Sequence, residues 1–136
     1  MPHRILCALA VSAAAPLILA TAPPVAAAAA PDAVRLPTVL QLALGDSTCP
    51  ANYICIYEDV GYDGGGYGVH SGNELNDFRG IGFNDQMSSW INSTGQRYCW
   101  YPDINFSGIG QAMNDGYANS AVLPEHNDLA SSLERC

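Results

Sequence analysis

Asn84-Asp85-Gln86-Met87-Ser88-Ser89 and Asn127-Asp128-Leu129-Ala130-Ser131-Ser132 are two writings of one six-residue pattern, Asn-Asp-x-x-Ser-Ser. Each lies downstream of a second pattern, Tyr57-x-x-x-x-Tyr62-x-Gly64 in the first case and Tyr101-x-x-x-x-Phe106-x-Gly108 in the second. Sliding the chain along itself brings Cys55 onto Cys99, Tyr57 onto Tyr101, Asp59 onto Asp103, Gly64 onto Gly108 and Gly66 onto Gly110. A shift one residue shorter superposes Asn84, Asp85, Ser88 and Ser89 on identical residues, so a single deletion reconciles the two alignments. A unit has been duplicated over about residues 53–136. Two copies are too few for a solenoid, which buries a continuous core only with about three or more stacked units. They point to a closed, pseudo-symmetric pair.

The repeat reads as strands. Ile54 and Ile56 alternate with Tyr53, Cys55 and Tyr57, the period of two expected when one face of a strand is buried. Residues 97–101 repeat the alternation, with Tyr98 and Trp100 opposite Cys99. Further short strands are expected at 67–70, 87–92, 111–113, 117–122 and 131–135, separated by Gly, Asn and Asp clusters at the spacing of an all-β sandwich. The expected fold is one all-β domain in which two tandem Greek keys, about 49–94 and 95–136, form a two-sheet sandwich. Within it Tyr57 and Tyr101 end a strand, Tyr62 and Phe106 cover the following turn, and Gly64 and Gly108 permit the backbone there to adopt positive φ or a close approach.

Residues 1–30 read as a secretory signal peptide: Arg4 gives a basic start, 5–19 is an apolar run, and 25–30 offers small-x-small cleavage sites. The run is short for a membrane span of about 20 residues. Residues 31–48 form a leader or linker whose apolar positions, Val34 to Leu44, suit a short helix, an ordered edge segment or a flexible propeptide. The remaining chain is long enough for one domain. It has no lysine, and Arg35, Arg79, Arg97 and Arg135 face 13 acidic residues. Nucleic acid and anionic membrane both require a basic footprint and are excluded as partners. Cys49, Cys55, Cys99 and Cys136 remain after processing, and in an exported chain of this size an even count reads as two disulfides with three possible connectivities. Cys49–Cys55 with Cys99–Cys136 keeps each bridge at one end of one repeat.

Both copies of Y-x-x-x-x-(Y/F)-x-G followed by (N/D)-(N/D)-x-x-(S/T)-S resemble the βγ-crystallin domain, over residues 49–136. With an export signal, four cysteines and a lone domain, the chain also resembles the small secreted bacterial peptidase inhibitors of that fold, the Streptomyces metalloproteinase inhibitor type. That resemblance implies a secreted, extracellular protein that is not an enzyme. Its partner would be an extracellular protease, a zinc metalloprotease, and the inhibitor is expected to be monomeric. The alternative is a non-inhibitory calcium-binding structural or stress module.

Calcium takes six to eight oxygen ligands. Asn-Asp-x-x-Ser-Ser offers amide, carboxylate, carbonyl and hydroxyl oxygens without imidazole or thiolate, which argues against zinc or copper. The resemblance implies two calcium sites, each shared between the repeats. Their ligands would be the Glu58 or Pro102 carbonyl, the Ser88 or Ser131 hydroxyl, the Asp85 and Asp128 carboxylates, and the Gln86 and Leu129 carbonyls. The same string can equally serve only to order its loop. Exposed segments able to enter a protease cleft are 61–68, 72–82 and the Cys49–Cys55 ring, and no motif decides among them. Gly45-Asp46-Ser47 resembles an esterase nucleophile block, but that fold needs an α/β domain this chain cannot build. His70 and His126 stand in no metal-binding spacing.

Overall fold

The computed structural model describes residues 38–136. The expected signal peptide, 1–30, and the first part of the leader, 31–37, lie outside the described residues. Eight strands follow in order: β1 (Val39–Leu42), β2 (Tyr53–Asp59), β3 (Asp63–His70), β4 (Ser89–Asn92), β5 (Tyr98–Tyr101), β6 (Gln111–Met113), β7 (Ala118–Asn119) and β8 (Ser132–Arg135). Short 3₁₀ turns occupy Phe78–Ile81 and Pro124–His126. The strands form two antiparallel sheets, β1-β3-β2-β4-β7 and β6-β5-β8.

The sheet order shows how the repeats combine. β7 belongs to the second repeat by sequence yet pairs with β4 of the first, placing Trp90 opposite Asn119 and Ile91 opposite Ala118. In return Leu75 of the first repeat bridges Leu133 in β8, each backbone N–H donating to the other's carbonyl at 2.9 Å. Each repeat thus gives its third strand to the other's sheet, and in the first repeat that strand has shrunk to one bridged residue.

The space between the sheets is filled by Ile54, Ile56, Phe78, Trp90, Trp100 and Leu133 with their neighbours. The alternation in β2 predicted one buried face, but both are buried. Tyr53, Cys55 and Tyr57 are 2% exposed or less, inside a second cluster with Leu42 and the half-buried Leu40, Cys49, Tyr62 and Ile91. The cover comes from the segment expected to be a leader. Val39–Leu42 pairs with β3 in the register Val39 opposite Val69 and Leu42 opposite Gly66, so the ordered edge segment is the alternative that holds for these residues. Thr38 also takes part, accepting from His70 N–H at 2.9 Å, so the sheet begins ahead of Cys49.

The glycine-rich stretch 61–68 is mostly β3 and is paired on both sides, contrary to its expectation as an exposed loop. Its glycines are needed for close approach. A Cβ on Gly66 would lie 2.0 Å from the Ile56 carbonyl oxygen, and one on Gly68 would lie 3.1 Å from the Tyr53 ring. The strand expected at 117–122 shortens to two residues because the Asn119 side chain accepts from Ala121 N–H at 3.2 Å and turns the backbone out of the ladder. The bridges Cys49–Cys55 and Cys99–Cys136 form, with Cα–Cα separations of 5.7 Å in both.

Gly66→Ala should destabilise the domain by about 2 kcal/mol or more, because the clash is with backbone and requires β2 and β3 to separate. The check is a lower denaturant midpoint at unchanged m-value; an unchanged midpoint would contradict the close approach.

Candidate functional site

The last serine of each string locks the aromatic turn of its own repeat. Ser89, fully buried, donates to the Asp59 carbonyl at 2.6 Å and accepts from Tyr62 N–H at 3.1 Å. Ser132 does the same with the Asp103 carbonyl at 2.6 Å and Phe106 N–H at 3.0 Å. These bonds hold Tyr62 and Phe106 at φ of 65° and 59°, which bulky side chains seldom adopt. The aromatic pairs then meet edge to face, Tyr57 with Tyr62 at 5.8 Å and Tyr101 with Phe106 at 6.1 Å. For these last serines the expected ordering of the loop through bonds to neighbouring backbone is what the structure shows.

The first serine of each string faces the other repeat. Ser88 Oγ lies 3.5 Å from Asp128 Oδ1, and Ser131 Oγ lies 3.2 Å from Asp85 Oδ1. Backbone bonds make the same crossing: Asp85 N–H donates to the Ala130 carbonyl at 3.1 Å and Asp128 N–H to the Met87 carbonyl at 3.2 Å. Asp85 and Asp128 sit at φ of 57° and 55°, a conformation short polar side chains tolerate. The remaining carboxylate oxygens accept from the preceding asparagines, Asn84 at 2.6 Å and Asn127 at 2.7 Å. Ser88 and Ser131 N–H groups donate to the carbonyls of Tyr57 and Tyr101, both at 2.9 Å, so each string is also tied to the strand that precedes its aromatic turn.

Glu58 and Gln86 line one open cleft of about 500 Å³ with Leu42, Gly66 and Phe83. Pro102 packs on Gly108, and Leu129 is exposed. Among the described residues no three His, Cys, Asp or Glu side chains cluster. A cation held at either Asp–Ser pair would meet one carboxylate and one hydroxyl oxygen. That all-oxygen set fits a hard ion such as calcium and does not fit zinc.

The enzyme-like footholds are absorbed by the fold. Asp46 accepts from Thr48 N–H at 3.1 Å and Thr48 Oγ at 2.6 Å, bonds that hold its carboxyl below the usual range. His70 lies edge-on to Tyr53 and His126 edge-on to Trp100. The 72–82 segment, expected as a free loop, is tied down by Leu75, by Phe78 N–H on the Ser131 carbonyl at 2.8 Å, and by burial of the Phe78 ring.

Ser89→Ala removes both bonds made by a fully buried hydroxyl and frees the aromatic turn, so it should destabilise by about 1–2 kcal/mol in thermal or denaturant melts. The Tyr57 hydroxyl is buried with no hydrogen-bond partner among the described residues, and burial pushes it up to about 12. The unfolded chain loses that proton near pH 10 while the folded one keeps it, so stability should fall as pH rises from about 10 to 12. Tyr57→Phe should leave stability at pH 7 equal or higher and flatten that alkaline fall; an unaltered alkaline slope would contradict the assignment.

The comparisons with known proteins agree with this architecture. The chain is similar to a structure described as showing the evolution of the eye lens βγ-crystallin domain fold, at TM-score 0.62 and 24% identity, covering 72% of this chain and 96% of that one. It is similar to a βγ-crystallin from Ciona intestinalis at TM-score 0.54 and 25% identity, covering 62% and 99%. It also resembles a βγ-crystallin domain from Flavobacterium johnsoniae at TM-score 0.53 and 29% identity, covering 61% and 92%. No curated protein matches the chain at a significant level. The fold is thus that of a βγ-crystallin domain. The model of peptidase inhibitor family I36 matches residues 43–113, from the loop after β1 through β6. That match spans more than half of the chain, which therefore belongs to peptidase inhibitor family I36, a family of inhibitors and not of enzymes.

Proposed function

We propose that this protein is a secreted inhibitor of extracellular zinc metalloproteases, monomeric, on a βγ-crystallin scaffold that binds two calcium ions. Family membership carries the inhibitory role. Two disulfides in a small chain support an oxidising, extracellular setting. No helix among the described residues is long and apolar enough to cross a membrane. An inhibitor of this kind needs a rigid body that presents a segment without rearranging, since ordering on binding reduces affinity. The interlocked sheets and the braced aromatic turns supply that rigidity.

The calcium part rests on the reciprocal pairs Ser88 with Asp128 and Ser131 with Asp85. In this reading Asp85 and Asp128 give carboxylate oxygens, Ser88 and Ser131 hydroxyls, and Glu58, Gln86, Pro102 and Leu129 backbone carbonyls. Each ion would join the two repeats and add to the rigidity of the body.

Equimolar protein should abolish the activity of a thermolysin-type zinc endopeptidase and leave a serine protease active. Full residual activity of the zinc enzyme would overturn the inhibitor reading and favour a non-inhibitory structural module. In millimolar calcium the melting temperature should rise by about 5 °C or more over that in chelator, and Asp85→Asn with Asp128→Asn should remove the rise. A parent whose melting temperature ignores calcium would overturn the metal reading alone.

A further inference from the structure

We infer that residues 107–110, with Ile109 at the tip, are the segment that enters the protease cleft, and that the Cys99–Cys136 bridge holds this segment in place after attack; this rests on the inhibitor reading above. Among the described residues the large apolar side chains left in solvent are Leu44, Val60, Ile109, Tyr117, Leu123 and Leu129, and Leu44 and Ile109 are the most exposed at 83% each. Ile109 differs from Leu44 in how its backbone is seated. It stands between two glycines pressed against the body of the domain. A Cβ on Gly108 would lie 2.6 Å from Pro102 Cγ, and one on Gly110 would lie 2.7 Å from the Tyr101 ring. The backbone on each side of Ile109 is therefore supported, while its own side chain projects into solvent with no bulky neighbour to shield it.

Both ends of the segment are braced. On the near side Asp103 N–H donates to the Ser107 carbonyl at 3.3 Å, Phe106 N–H to Ser132 Oγ at 3.0 Å, and Asn105 N–H to the Asn76 carbonyl at 2.7 Å. Asn105 and Phe106 are held at positive φ, 56° and 59°, in succession. On the far side Gln111 enters β6 opposite Trp100. A segment fixed in this way meets a cleft without an ordering cost. Its branched aliphatic side chain suits an endopeptidase whose specificity pocket is apolar.

The disulfides separate the two most exposed candidates. Hydrolysis of a peptide bond flanking Ile109 adds water across it, leaving a carboxylate on one side and an amine on the other. The cut lies inside the ring closed by Cys99–Cys136, with a sequence separation of 37, so the two new ends stay covalently joined. The tether keeps them at high local concentration in the cleft and slows their release. A cut beside Leu44 falls outside both rings, and only non-covalent contacts, the β1–β3 pairing and the burial of Leu42, would hold the pieces together.

The experiment titrates the parent, Ile109→Asp, Ile109→Ser and Leu44→Asp against a thermolysin-type zinc endopeptidase, records each melting curve, and maps any cut by mass spectrometry with and without reductant. Both Ile109 variants should weaken inhibition by about 100-fold or more with unchanged melting temperature, as expected for removal of a central anchor. Leu44→Asp should stay within about threefold of the parent. Any cut in the parent should flank Ile109, with two fragments that separate only on reduction. Ile109 variants that inhibit like the parent, or a cut elsewhere, would overturn the segment assignment and leave the inhibitor reading standing. A parent that blocks nothing would overturn both.

Discussion

The structure depends on the exchange of third strands between the repeats. β7 completes the first sheet beside β4, and Leu75 completes the second beside β8. Neither sheet is whole within one repeat, so neither repeat can bury its apolar face alone. Trp90 and Trp100, one from each sheet, meet in the same core, and the backbone bonds from Asp85 to Ala130 and from Asp128 to Met87 cross at the same place. The Asp and Ser side chains of the two strings face each other because that crossing brings them together. A candidate cation site and the junction of the repeats are one feature.

The two repeats do not use the frame alike. In the first, β1 and the short Cys49–Cys55 ring cover the outer face of β2, and Tyr57 is sealed in. In the second, Tyr101 is half-buried and its hydroxyl donates to Glu134 at 2.8 Å, a bond that raises its pKa. Ile109, Tyr117, Leu123 and Leu129 are all exposed within the long Cys99–Cys136 ring. The first repeat acts as anchor and the second presents surface.

Duplication was legible because Asn-Asp-x-x-Ser-Ser and the aromatic pattern are fixed by local turn geometry, and local geometry is written in consecutive residues. Most strands followed from alternation, and the bounds at 111–113 agree with β6. What escaped reading depends on distant residues. Glycines at 65, 66 and 68 look like a loop; only the proximity of Leu42, Ile56 and Tyr53 shows that they permit close strand pairing. The apolar residues at 39–42 suit an edge segment, a helix or a propeptide alike, since the pairing partner that decides among them lies in β3. The candidate site was half legible. Its residue types were clear, and the sharing between repeats came with the family resemblance. The clasp formed by Ser89 and Ser132 joins residues 30 and 29 positions apart, which local pattern does not connect. The exposure of Ile109 was not legible either, since it arises from the seating of its glycine neighbours on Pro102 and Tyr101.

Native-state amide hydrogen exchange tests the interlock most directly, because it reports the opening free energy of each strand separately. If the exchanged strands make one cooperative unit, slow amides of β2 and β4 and those of β5 and β8 open with one common free energy and respond to denaturant together. A difference of more than about 1 kcal/mol between the two groups, with the second repeat opening while the first stays closed, would contradict it.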